Sequence, residues 1–373
     1  MPSRLPFLLR LSLPFALTLL ALAACRVGAQ PAAPATATAP PPIASPAATA
    51  LTATAPPAST STSPVQAAAT LAPTATPTAR PYHLGRNDFV TLVADTPREW
   101  LLYVPPGYTG DAPVPVVFMF HGSNQGGPLM YQNTTWAALA DQHGFLVVFP
   151  TGWKYPLVGE AGLHSKWNSR DLVNEVEPGT ALKDDVRFVQ VMLAELQANF
   201  NVDARRVYAT GFSNGGSFVL SRLIPEMNTA FAAYATAGSG LLTTGLALSD
   251  VPVVPAALYS VLGTLDEKVS ERTGHALPLP IETGAMLADP LLAAMFSNTT
   301  RLLGLSLAYT SLADPAAASN TLTFDTSLSG AGNQYIFRMV ARLGHVYPSG
   351  DNNRHRLDIA PEFWAFFSQY QLP

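Results

Sequence analysis

In Arg206-Val207-Tyr208-Ala209-Thr210-Gly211-Phe212-Ser213-Asn214-Gly215-Gly216-Ser217-Phe218-Val219-Leu220, a run of strand composition passes through G-x-S-x-G into an apolar run with helical spacing. Only a sharp turn can join a strand over residues 206–210 to a helix over residues 214–223. Glycine at 211 and 215 suits that turn, because a side chain there would collide with neighbouring backbone. Ser213 then stands at the apex, its hydroxyl beside a helix N-terminus where developing negative charge is favoured. G-x-S-x-G recurs by chance in unrelated chains; the strand before it and the helix after it make Ser213 a candidate nucleophile. The competing reading is a Ser/Gly loop without chemistry.

The flanking sequence alternates in the same way. Residues 100–104, 115–120, 145–149, 231–237, 256–261 and 335–340 read as strands, several of them continuous apolar runs suited to a buried sheet. Residues 131–143, 186–199 and 361–370 have helical spacing, with Asp184 or Asp185 at the N-cap of the second. Repeated β-α-β order predicts a mainly parallel, doubly wound sheet covered on both faces. Residues 269–333 are less regular, with a helix near 284–303, and form an excursion before the last core strand that is either an insert or a lid. No internal repeat is present.

A serine hydroxyl at neutral pH needs a base to take its proton, and the base needs a carboxylate to orient it. In an α/β-hydrolase the chain order is Ser, acid, His. Of the seven histidines only His275, His345 and His355 follow Ser213, and His345 lies in Gly344-His345-Val346-Tyr347-Pro348, after the last core strand. His275 falls in the excursion and His355 in a charged turn, so His345 is the candidate base. Asp266, in Gly263-Thr264-Leu265-Asp266, follows a core strand and is the candidate acid, with Asp250, Asp289, Asp314, Asp325 and Glu267 as competitors. Its bland reading is a turn-forming aspartate. The oxyanion needs two backbone donors. The amide of Asn214 supplies one. The loop after the most apolar strand, Phe120-His121-Gly122-Ser123, supplies the other through Ser123, with Asn124 in reserve, while His121 reads as a structural residue of that loop.

His121-Gly122-Ser123, Trp167-Asn168, Asp184-Asp185-Val186, Val202-Asp203-x-x-Arg206-Val207-Tyr208, Gly211-x-Ser213-Asn214-Gly215-Gly216, Gly263-Thr264-x-Asp266 and Gly344-His345 occur in this order. Together they resemble the extracellular polyhydroxybutyrate depolymerase and feruloyl or acetylxylan esterase family of α/β-hydrolases, over about residues 85–371. The resemblance implies a serine esterase without metal or cofactor, with Ser213 as nucleophile, His345 as base and Asp266 as orienting acid. The chain departs from many relatives at Ser123, where they have cysteine, and at Val346-Tyr347-Pro348, where they have Trp-Pro. Trp167 and Tyr347 are expected either to line the substrate pocket or to be partly buried in the core. Two rivals share these residues: a serine peptidase or acyltransferase, and a non-catalytic binding lipoprotein.

The N-terminal part is a different material. Arg4 and Arg10 precede an apolar run over residues 11–24 that ends in Leu22-Ala23-Ala24-Cys25. A basic start, a short apolar stretch and small residues before a cut predict an export signal over residues 1–24, and the cysteine resembles a bacterial lipobox. Cys25, the one cysteine of the 373 residues, would then carry the lipid and hold the protein at a membrane; the alternative is an ordinary cleaved signal with Cys25 incidental. Of the 50 residues from 31 to 80, 44 are Ala, Pro, Thr or Ser, and none is aromatic. Such a segment cannot bury enough surface to offset its ordering entropy, so residues 25–80 read as a disordered tether. Four basic residues and no acid lie in residues 1–80, which leaves residues 81–373 with 17 basic and 25 acidic side chains, a net charge of −8. An acidic body argues against nucleic acid as partner. What is expected is one α/β-hydrolase domain over residues 81–373, acting on a small or polymeric ester at the cell surface, in the periplasm or outside the cell.

Overall fold

The computed structural model describes residues 82–241 and 251–373; the export signal, Cys25, the tether and Asp250 lie outside the described residues. The strands are β1 (Gly85–Val93), β2 (Thr96–Val104), β3 (Val114–Phe120), β4 (Leu146–Pro150), β5 (Trp153–Tyr155) and β6 (His164–Lys166). They continue with β7 (Val202–Phe212), β8 (Ala233–Ala237), β9 (Ala257–Gly263), β10 (Thr310–Asp314), β11 (Ser319–Phe324) and β12 (Tyr335–Val340). The helices are α1 (Gly127–Asn133), α2 (Trp136–His143), α3 (Asp185–Asn199), α4 (Asn214–Phe218) and α5 (Ile224–Met227). After them come α6 (Glu267–Thr273), α7 (Thr283–Ala288), α8 (Pro290–Leu303) and α9 (Ala360–Phe367).

Ten strands form one sheet in the order β1-β2-β4-β3-β7-β8-β9-β12-β11-β10. The central strands β4, β3, β7, β8, β9 and β12 run parallel. β1 and β2 at one end and β10 and β11 at the other are antiparallel to their neighbours. This is an α/β-hydrolase fold. Strand periodicity explains the two layers around it: Val116, Phe118 and Phe120 face one core with residues of α3 and α8, while Val117 and Met119 face a second with residues of α1, α2 and α9. Asp184 caps α3, its side chain accepting the Arg187 N–H at 2.9 Å.

Local chemistry shifts several expected boundaries. The helix expected over residues 131–143 is two helices. Thr134 leaves helical geometry, with its hydroxyl donating to the Met130 carbonyl at 2.7 Å, while the Thr135 hydroxyl donates to Asp358 at 2.9 Å. The helix expected near residues 284–303 is also split, because Pro290 disfavours helical backbone at Asp289, which instead caps α8 through the Leu291 and Leu292 amides. Past Phe218 the elbow helix widens into a π-turn, Val219–Leu223, before α5. Sequence patterning passed over β1, the β5–β6 hairpin, β10 and β11.

The excursion is an insert built into the domain. Met286, Leu292, Met295, Phe296, Leu302, Leu303, Leu322 and Phe324 from it are buried in the main core, and β11 pairs with β12. Among the described residues no helix is long and apolar enough to cross a membrane.

Candidate active site

β7 ends in the expected elbow. Ser213 has φ 52° and ψ −120°, a strained backbone for a residue with a side chain, and its N–H is held by the Ala237 carbonyl at 2.9 Å. A β-carbon on Gly211 would lie 2.5 Å from Gly215 backbone, and one on Gly215 would lie 2.5 Å from the carbonyl oxygens of Phe120 and His121. Neither position admits a side chain without moving main chain, so the turn is as tight as the sequence demands.

The structure brings Ser213, His345 and Asp266 together. His345 Nε2 lies 2.8 Å from Ser213 Oγ, and its Nδ1 lies 2.9 and 3.0 Å from the two oxygens of Asp266. An ionised carboxylate can only accept, so Nδ1 carries the proton and Nε2 presents its lone pair to the serine hydroxyl. All three residues stand at the carboxyl ends of parallel strands, after β7, β9 and β12. Asp266 is fully buried (0% exposed) and also caps α6, Oδ1 accepting from the Lys268 and Val269 amides at 3.1 and 3.2 Å. The turn-forming and the proton-orienting readings of this residue therefore describe one geometry. Phe212 packs against the His345 ring, centroids 4.9 Å apart and the planes tilted by 35°.

Four of the rival residues are occupied elsewhere. His275 pairs with Asp289, and His355 Nε2 lies 2.6 Å from the Ala341 carbonyl. Asp314 accepts the Ala317 amide on the edge hairpin.

The two expected oxyanion donors border the same cleft as Ser213. The amide of Asn214 opens α4, where no intrahelical acceptor exists. The amide of Asn124 donates to the Ser165 carbonyl at 2.9 Å, which removes the reserve candidate; the Ser123 amide has no acceptor among the described residues. His121 braces this loop. Its Nδ1–H donates to the Gly122 carbonyl at 2.6 Å, and Nε2 accepts the Gly152 N–H at 2.8 Å. That pattern requires the neutral ring, and full burial pushes its pKa down to about 4.

Two expected pocket residues are corrected. Trp167 is fully buried (0% exposed), stacked on Phe218, with its indole N–H donating to the His121 carbonyl at 3.0 Å. Tyr347 is 5% exposed and its hydroxyl accepts the Trp136 indole N–H at 2.8 Å. Both are supports behind the site: large aromatic side chains find more burial in the core than at a cleft wall. Sequence reasoning also missed the Asn214 side chain, which bonds the main chain of Trp167 at both ends of its amide. Asp185 is a further omission. It forms a buried ion pair with Arg98 at 2.6 Å and accepts the Asn168 N–H at 2.7 Å, tying that loop to α3. The signal that could have found it is the acid pair Asp184-Asp185 at the start of α3, of which only Asp184 is used as the cap.

The cleft has a volume of about 740 Å³. Its far wall is the β5–β6 hairpin and the turn around Leu172–Asn174, and α6 faces it. Five carboxylates line it (Glu160, Asp171, Glu175, Glu267, Glu271) against the cations Lys166, Lys268 and Arg272. Each cation is paired with one of those acids: Lys166 with Glu175, Lys268 with Glu271, Arg272 with Asp171. Among the described residues no cluster of three or more His, Cys, Asp or Glu side chains could hold a metal ion.

Residues 99–264 match the family model described as Esterase PHB depolymerase. The chain is 28% identical over 170 residues to the bifunctional acetylxylan esterase/xylanase XynS20E of Neocallimastix patriciarum, a match covering 46% of this chain and 22% of that protein. It is 32% identical over 127 residues to feruloyl esterase B of Piromyces equi, covering 32% and 20%. The match therefore spans about a fifth of the length of these curated relatives. Among solved structures, the acetyl xylan esterase from Aspergillus awamori superposes with a TM-score of 0.48 at 16% identity, over 76% of this chain and 99% of that one.

Proposed function

We propose that the chain is a serine esterase that hydrolyses carboxylic esters through an acyl-enzyme. The observation that carries this reading is the unbroken hydrogen-bonded relay from Ser213 Oγ through His345 to Asp266, with distances of 2.8, 2.9 and 3.0 Å. Ser213 Oγ attacks the ester carbonyl as His345 Nε2 takes its proton. Asp266 stabilises the imidazolium that forms. The tetrahedral oxyanion rests on the amides of Asn214 and Ser123, each such donor contributing about 3–4 kcal/mol in the transition state. His345 then protonates the departing alcohol, and the acyl-enzyme forms. In the second half His345 activates a water, which attacks the acyl carbon and releases the acid and free Ser213.

The substrate classes proposed are feruloyl or acetyl esters of plant polysaccharide and polyhydroxyalkanoate-type polyesters, supported by the names of the family and its relatives. The same proposal makes residues 1–24 an export signal, Cys25 a lipid-bearing anchor, residues 25–80 a tether and residues 81–373 the esterase domain. The basic start, the apolar run and Ala23-Ala24-Cys25 support it. Ser213→Ala should abolish hydrolysis of p-nitrophenyl acetate while leaving the circular dichroism spectrum unchanged; retained turnover would overturn the reading. A panel of feruloyl, acetyl-sugar and hydroxybutyrate esters then ranks the acyl groups. Metabolic labelling with a fatty-acid probe should be lost in Cys25→Ser.

A further inference from the structure

Two consecutive carboxylates hold one histidine. Asp266 binds the His345 ring, and Glu267 Oε2 accepts the backbone N–H of the same residue at 3.1 Å. We propose that Glu267 is a positioning residue for His345, fixing the main chain of its loop and placing a negative charge beside the imidazole; this rests on the esterase reading of the relay.

The loop has few other restraints at this point. The Leu343 carbonyl accepts the Leu265 amide and Val346 folds back on Gly344, both at 2.9 Å, which leaves the His345 N–H to be held by Glu267. Glu267 Oε2 lies close against this turn of the loop: a β-carbon on Gly344 would meet it in ordinary van der Waals contact at 3.5 Å. Burial pushes the Glu267 carboxyl up, but the N–H groups of Glu267 and His345 outweigh it and hold the group below the usual range. The carboxylate is therefore ionised when His345 must gain a proton. The charged groups around that imidazole are Asp266 and Glu267, with Lys268, Glu271 and Arg272 farther along α6 on the cleft wall. Lys268 is committed to Glu271 and Arg272 to Asp171, whereas Glu267 forms no ion pair among the described residues. Its charge thus faces the imidazole that takes the serine proton.

Glu267→Gln keeps an acceptor for the His345 N–H and removes the charge; Glu267→Ala removes both. With p-nitrophenyl acetate, the alanine variant should lose about tenfold in kcat with KM within about twofold. The glutamine variant should recover kcat to within about threefold of the wild type. In both variants the acidic limb of kcat/KM should move to lower pH by about half a unit, because an anion beside the base is gone. If the alanine variant does not fold, the limb of the glutamine variant still decides. Unchanged limbs overturn the proposal, and so does an alanine loss that glutamine fails to rescue. Absence of turnover in the wild-type protein would instead overturn the esterase reading.

Discussion

Asn214 and Trp167 are clamped together through one amide: Asn214 Oδ1 accepts the Trp167 N–H at 2.7 Å, and Asn214 Nδ2 donates to the Trp167 carbonyl at 3.3 Å. Since the Trp167 indole bonds the His121 carbonyl, the clamp links the residue after Ser213 to the loop that holds Ser123. The two amides that would receive an oxyanion are thereby braced against each other.

Asn214→Ala should separate this bracing from the backbone donor, which it leaves in place. Two buried polar groups of Trp167 lose their partner, so unfolding in urea should show a loss of about 1–3 kcal/mol. Steady-state kinetics should show kcat about tenfold lower with little change in KM.

Asp266→Asn should divide the two tasks of Asp266. Asparagine still caps α6, so the thermal midpoint should move by only a few degrees. Its NH₂ group, however, turns a donor toward His345 Nδ1, and the ring proton is driven to Nε2. That nitrogen can then no longer accept from Ser213, and kcat should fall by about 10⁴-fold.

His121 predicts an acid-sensitive fold. Its folded pKa of about 4 lies below the unfolded value of 6.5, so the unfolded chain binds the extra proton first. The associated stability is complete above about pH 6.5 and is lost as pH falls toward 4, by about 3 kcal/mol. Urea titrations at successive pH values should show this fall, and His121→Gln should flatten it.

Every lysine and arginine on the cleft wall is already paired and Glu160 faces only the His164 ring at 3.4 Å, so among the described residues the wall carries two more carboxylates than lysine and arginine side chains. An ester with a free carboxylate near the scissile bond should have kcat/KM about tenfold below its neutral analogue at low ionic strength. Added salt should narrow the gap. Equal rates for the pair would show that the cleft does not sort substrates by charge.

What the sequence makes legible follows physical contrast. Residues 115–120 and 145–149 announce themselves as strands because burial on both faces demands unbroken apolar runs. The elbow is legible because Gly211 and Gly215 stand at fixed steps on either side of Ser213, Gly211 against the turn's own backbone and Gly215 against the main chain of Phe120 and His121. β10 carries no such pattern, since all five of its residues are exposed, and β5 and β6 are three residues each, too short for a period. Trp167 and Tyr347 defeat sequence reasoning for another reason: an aromatic side chain has the same letters in a core as on a cleft wall. The Asn214 clamp joins residues 47 apart in the chain and is created only by the tertiary fold.

Asp266 and His345 are 79 residues apart in the chain, yet β9 and β12, the strands that deliver them, lie side by side with Gly263 opposite Val340. Their spacing is a property of the sheet's transverse direction and is independent of the chain's contour length. Of the intervening chain, the exposed edge strand β10 and its turns can lengthen, shrink or be exchanged, so long as α6, the core residues of α8 and β11 and the register of both strands are kept. Evolution and protein engineering alike thus have a region in which to change the molecule's bulk and outer surface while the reacting atoms keep their coordinates.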